Sequence, residues 1–275
     1  MKQNKKQTFA LYFGNRGFFP ASLIASARDE VAAAVEKAGF DYLMPPSDMT
    51  RYGAVETKDE GLKYAEWLGE HIGEYDGLIM SLPNFSDENG AVAAVRDCGV
   101  PIFIQAYPDE IGKMDFDHRR DSYCGKFSIC DVFHQYKIPF TIMPPHVVHP
   151  NTDAFAKNLS DFAAVCRVVN GMKRFTIGVI GARTTKFKTV RYDEITLQKY
   201  GITCDTYDLS ELFYRVEKMD GNSDAVKAKI EKLIGYTDFS SVPKDKTETL
   251  AKVSVAIDDM MREYHLDCIT LRCWE

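Results

Sequence analysis

The stretch TFALYFGNRGFFP, Thr8–Pro20, decides the fold. Its first half is an apolar run without polar alternation, the pattern of a strand buried on both faces. Gly14 and Gly17 then bracket a tight loop that holds Asn15 and Arg16. Pro20 suits the opening of a helix, and ASLIASARDEVAAAVEKAG runs from there to the stop signal around Gly39. A strand, a glycine-flanked loop and a helix, in that order, begin a parallel β–α repeat.

The repeat continues outward. FDYLMP is a short strand, KDEGLKYAEWLGEHIG a helix, YDGLIMSL a strand, ENGAVAAVRDCG a helix and VPIFIQA a strand. A further helix is expected in DFDHRRDSYCGKFSICDVFHQY (115–136) and a further strand in IPFTIMP. This predicts a parallel sheet of about five strands within residues 1–150. The helical stretch NTDAFAKNLSDFAAVCRVVNGM (151–172) follows, and the pattern then restarts with the strand RFTIGVIGA. A helix near 190–200, the strand ITCDTYD, helices near 209–217, 222–235 and 245–265, and the strand DCITLRC complete it. The fold class is α/β, with two consecutive doubly wound, mostly parallel, Rossmann-like domains, 1–172 and 173–275, the second incomplete. The chain stops at Trp274-Glu275, just past a strand, at the edge where open α/β sheets bind ligands. It is expected to be a fragment of a longer protein.

Composition excludes several classes of function. The 275 residues are 45% hydrophobic and 27% charged, with a net charge of −6 of mixed sign, which gives no electrostatic case for nucleic acid or anionic membrane. No apolar run approaches the length of a membrane span, and the apolar stretch after the polar N-terminus is too short for a signal-peptide core, so a cytoplasmic protein is expected. Seven scattered cysteines without a CxxC pair read as free thiols, mostly in the core. Cys124, Cys130 and His134 do not have zinc spacing, and His146 and His149 lack a local third ligand, so no metal site is assigned.

The candidate binding residues lie in strand-to-helix loops. Asn15 and Arg16 follow the first strand, where they would reach a hydroxyl- or phosphate-bearing ligand; the loop lacks the GxGxxG of a dinucleotide site. Asn84, in SLPNFSDENGAV, is placed to hydrogen-bond, while Ser86 or Asp87 caps the next helix. In the second domain GARTTKFKTVRYDE (181–194) carries Arg183 and Lys186 in the matching position, a repetition that suggests a binding crevice. Each of these loops also has a bland reading, as a turn with solvated cations.

The 115–136 stretch divides in two. With a helix from about His118, Tyr123, Phe127, Cys130 and Phe133 form a core stripe, and Cys130 is a packing cysteine. His118, Arg119 and Arg120 then stand in the first turn against the helix dipole. Either Asp115, Asp117 or Asp121 neutralises them, or His118, Arg119 and Arg120 are held for a neighbouring subunit or a polyhydroxyl or anionic ligand.

The runs GFFPASLIASARDEV, LPNFSDENGAV, YPDEIGKMDFDHRRDSYCGKFSICDVFHQYKIPFTI, FAAVCRVVNGMK, IGVIGARTTKFKTVRYDE and DCITLRCWE, in this order, resemble the L-fucose isomerase/L-arabinose isomerase superfamily, and within it the L-fucose isomerase-like proteins of bacteria. The resemblance implies a cytoplasmic aldose–ketose isomerase that uses a divalent metal, typically manganese, and moves a proton between C1 and C2 of a monosaccharide through an ene-diol. It implies a homo-oligomer, a trimer or hexamer, in which the first domain helps to close a neighbour's active site. It further implies that an arginine in the loop matching that of Arg16 touches the sugar. Trp274 joins the substrate-binding set, but the metal-binding acids and histidine are expected beyond residue 275, and Glu275 follows the tryptophan too closely to be one of them. No catalytic residue and no bound metal is therefore expected in this chain, which alone should be inactive. The runner-up is a non-enzymatic, two-domain cytosolic module that binds a sugar or regulates in response to one. The sequence does not name the sugar, and its basic loops leave a sulfonated or phosphorylated one open.

Overall fold

The computed structural model describes residues 6–184 and 186–272. The chain divides into two compact units, Met1–Asn170 and Gly171–Glu275. In the first, β1 (Thr8–Phe13), α1 (Ser22–Lys37), β2 (Asp41–Leu43), α2 (Lys58–Glu70), β3 (Gly77–Leu82), α3 (Glu88–Val95) and β4 (Ile102–Ala106) alternate as expected, followed by α4 (Ser122–Gln135) and α5 (Asp153–Met172). The sheet order is β2-β1-β3-β4 and every pairing is parallel.

Alternation along the strands divides the interior into two cores. Ala10, Tyr12, Leu78, Met80, Ile102 and Ile104 pack with residues of α2, α3 and α4. Phe9, Leu11, Phe13, Ile79 and Phe103 pack with residues of α1 and α5. Helices therefore cover both faces, which makes the sheet doubly wound. β1 and β3 lie side by side, yet the chain leaves β1 towards β2 on one flank and β3 towards β4 on the other. That reversal opens a crevice at the carboxyl ends of β1 and β3, where sheets of this kind bind ligands.

Three expectations for this unit need correction. IPFTIMP is not a strand: Thr141 makes a single parallel bridge to Phe103, so the sheet has four strands among the described residues. Pro139 and Pro144 bound the segment and have no N–H to extend a ladder. Second, α4 begins at Ser122 rather than near His118, and Asp121 at its N-cap is left-handed with φ 47°. His118, Arg119 and Arg120 thus precede the helix. The buried stripe is Ser122, Gly125, Lys126, Ile129 and Phe133, and Tyr123 and Phe127 are exposed. The stripe is set by Gly125, where a Cβ would lie 2.9 Å from Phe85 Cα. Third, its cysteines, Cys98, Cys124, Cys130 and Cys166, are free thiols, but only Cys166 is fully buried and Cys124 is exposed. Cys130 packs partly buried against the first core.

In the second unit β5 (Phe175–Ile180), α6 (Glu194–Lys199), β6 (Ile202–Tyr207), α7 (Leu209–Lys218), α8 (Asp224–Tyr236), α9 (Lys244–Glu263) and β7 (Cys268–Leu271) form a parallel sheet of order β6-β5-β7. Here the reversal falls between β5 and β7. Among the described residues no helix is long and apolar enough to cross a membrane.

The least expected group in the first unit's interior is Lys126. It is 4% exposed, no carboxylate among the described residues pairs with it, and its ammonium donates to the His146 carbonyl at 2.8 Å. Burial pushes its pKa down to about 8. Below that pH both folded and unfolded chains are protonated, and the desolvation cost is present in full. Between about pH 8 and the ordinary value of 10.5 the unfolded chain binds more protons, so stability rises with pH; above it the cost is gone. Lys126→Met is expected to stabilise the protein by about 1–3 kcal/mol at pH 7 in urea unfolding, with the gap closing near pH 10.5. A gap independent of pH would contradict this.

Candidate functional site

The site is built from the loop after β1 outward. Asn15 is fully buried. Its backbone N–H donates to the Val55 carbonyl at 3.0 Å, and its carbonyl accepts from Asp87 N–H at 3.0 Å. Its side-chain amide donates to Glu56 at 2.6 Å and accepts from the Asn84 amide at 3.0 Å. Asn84 also donates to the Pro20 carbonyl. Glu56 is itself buried, and burial raises its carboxyl pKa while the Asn15 bond opposes the shift. The loops after β1 and β3 and the segment before α2 are thereby tied at one point. Gly14 makes this possible, because a Cβ there would stand 2.1 Å from Ser86 Oγ and 2.8 Å from Ser86 Cβ.

Above this buried layer stands Arg16. Its guanidinium pairs with Glu88 in the first turn of α3 and lies 4.8 Å from the centre of the Phe85 ring. The other Glu88 oxygen accepts from Ser128 on α4. Phe18, Phe19 and Phe85 stack in series, with centroids 4.8 and 5.6 Å apart. Together with Met114, Phe116, Arg119 and Asp121, they and Arg16 enclose a pocket of about 420 Å³. Arg119 pairs with Asp121 at 2.5 Å, so both cations of this pocket are matched by carboxylates. Arg120 instead turns inward, donates to the Pro83 carbonyl at 2.9 Å and lies over the Tyr107 ring.

The structure thus brings Arg16 and Arg119 to one pocket. Asn15 and Asn84 form the layer that holds the loops, and Asn84 Oδ1 is buried and accepts from no group among the described residues. His118 sits at the surface with Asp115 2.7 Å away, the neutralised arrangement that the sequence left open. In the second unit Arg183 lines a pocket of about 890 Å³ at the carboxyl ends of β5, β6 and β7, and Lys186 is exposed nearby in sequence. Trp274 lies outside the described residues. Among the described residues no three His, Cys, Asp or Glu side chains converge to hold a metal ion, so the groups present do not fit the metal that the resemblance implies. His149 instead stands edge-on to Tyr107, with Glu30 at 3.4 Å.

The model of the fucose/sulfoquinovose isomerase N-terminal domain matches residues 10–173. The chain belongs to that family. The match runs from β1 through α5 and so contains the whole Arg16 pocket. A search of curated proteins found no match. Within this isomerase domain, the residues that sequence reasoning missed are Glu56, Glu88 and the aromatic series. Glu88 was readable in part: Asp87 caps α3, accepting from Gly90 N–H at 2.7 Å as expected, which puts the next residue in the first turn beside the loop. Glu56 had no local signal, since its partner is 41 residues away.

Gly14→Ala is expected to cost about 1–3 kcal/mol, as overpacking of a filled interior does. Adding Ser86→Gly should recover part of that loss in chemical unfolding. An unchanged stability for the single variant would contradict the close approach.

Proposed function

We propose that this chain is the sugar-recognition and subunit-contact part of an aldose–ketose isomerase. The observation that carries the reading is the charge-balanced, aromatic-walled pocket around Arg16 at the β1/β3 crevice. A sugar offers an apolar face of C–H groups and a rim of hydroxyls. Stacked phenyl rings suit the first, and a planar guanidinium held by a carboxylate and a ring suits two adjacent hydroxyls. Holding Arg16 in one orientation before the ligand arrives lowers the ordering cost of binding.

The proton shift between C1 and C2 is assigned to groups outside this chain. A general base needs a free acceptor, and in this pocket Glu88 and Asp121 are each taken up by an arginine. The metal of the complete enzyme, which we take to be manganese, would likewise be held by other residues. The exposed side chains Met114 and Phe116, which line the pocket, support the second half of the proposal, since apolar groups at the mouth of a pocket suit a second copy of the chain. The non-enzymatic sugar-binding module shares the pocket and differs in lacking chemistry in any assembled form.

Binding of L-fucose and L-arabinose to the purified chain, followed by ligand-detected NMR with manganese present, tests the reading. Aldose binding should weaken about tenfold or more in Arg16→Ala, the worth of a charged hydrogen bond, with no ketose formed by either protein. The melting temperature should stay nearly unchanged, because a half-exposed ion pair contributes little. Equal binding by the variant, or ketose made by the chain alone, would overturn it.

A further inference from the structure

Arg16 is only as well placed as its two partners, and both partners rest on α4. Its guanidinium meets Glu88 and lies 4.8 Å from the centre of the Phe85 ring. Among the described residues no other acceptor engages it, so its remaining donors are open to a ligand. Phe85 is fixed through its backbone. Its N–H donates to the Arg120 carbonyl at 2.7 Å, and the Ser122 hydroxyl donates to the neighbouring Pro83 carbonyl at 2.9 Å. Gly125, one turn further along α4, sits against Phe85 with no room for a Cβ.

Glu88 has a different problem. α3 sets its backbone, but its side chain has several rotatable bonds and is 24% exposed, so packing alone does not confine it. Ser128 does. It stands three residues after Gly125, on the next turn of α4. Its hydroxyl donates to one carboxylate oxygen of Glu88 while the other oxygen accepts from Arg16. A serine inside a helix often bonds back to a carbonyl of its own helix. Here the hydroxyl instead reaches a residue 40 positions away in sequence. Ser128 does not line the pocket, so any effect it has on a ligand runs through Glu88.

We infer that Ser128 is a positioning residue for recognition at this pocket: it acts through Glu88 and sets the orientation in which Arg16 meets the ligand. The ligand as a sugar rests on the isomerase reading above; the control of Arg16 by Ser128 rests on the geometry alone. A carboxylate bonded at both oxygens is held in one plane, and a guanidinium bonded to it shares that constraint. Without the Ser128 hydroxyl, Glu88 keeps its charge and its bond to Arg16, but the pair can swing together. Binding must then order two long side chains, a step already complete in the parent.

Arginine side-chain NMR of the isotope-labelled chain, without ligand, reads the geometry first. Arg16, assigned by the signals lost in Arg16→Ala, should show separate terminal-nitrogen signals and a ring-current shift from Phe85. In Ser128→Ala the terminal nitrogens should average and the ring-current shift should shrink, while Ser128→Thr, which keeps the hydroxyl, should restore most of both. Titration with L-fucose and L-arabinose then reads recognition. Ser128→Ala should weaken aldose binding about three- to tenfold, the effect of ordering one or two long side chains, with the melting temperature nearly unchanged. In the Arg16→Ala background the same substitution should weaken binding no further, because its whole effect passes through Arg16. Arg16 signals unaltered in Ser128→Ala would overturn the inference. So would altered signals with parent-like binding, or an equal loss of binding in both backgrounds. Altered Arg16 signals in a chain whose parent binds neither aldose would sustain the positioning role and count against the sugar reading.

Discussion

The buried side chain of Asn15 is the constraint on which the rest of the first unit's site depends. Where a parallel sheet reverses direction, the loops after two neighbouring strands diverge, and no ladder hydrogen bonds remain to hold them together. Asn15 supplies the missing ties through its backbone to Val55 and Asp87 and through its amide to Glu56 and Asn84. Each such bond contributes about 1 kcal/mol net, but leaving one buried partner unpaired costs more, about 1–3 kcal/mol. The arrangement is therefore all-or-none in character, and Arg16, the next residue, inherits its position from it.

The fold was legible in the sequence because its signals are local. Apolar runs without alternation mark β1, β3 and β4 as strands covered on both faces, and Asp87 marks the start of α3. Errors arose where a tertiary contact overrode a local pattern. The aromatic residues of the 115–136 stretch have helical spacing, but Gly125 docks backbone against the Phe85–Ser86 loop and rotates Tyr123 and Phe127 outward. IPFTIMP has strand composition but prolines at its boundaries, and it ends as a single bridge at Thr141.

The candidate site was legible by loop and less so by residue. Strand-end loops are where α/β sheets bind, so Arg16, Asn84 and Arg183 could be singled out by position. Which of them faces a pocket and which is buried beneath it depends on partners distant in sequence. Glu56 and Glu88 lie 41 and 72 residues from the groups they hold, and no spacing rule connects them. Charge balance was also out of reach, since it requires knowing that Arg16 meets Glu88 and that Arg183 meets no acid among the described residues.

The central claim is that the loops after β1 and β3 form one cooperative unit through Asn15. Hydrogen exchange on Asn15→Ala, read by mass spectrometry, addresses it directly. Residues 14–20 and 83–88 should lose protection together, while β4 and the whole second unit exchange as in the parent, because local openings follow cooperative units. Loss confined to residues 14–20, with the 83–88 loop still protected, would contradict the account.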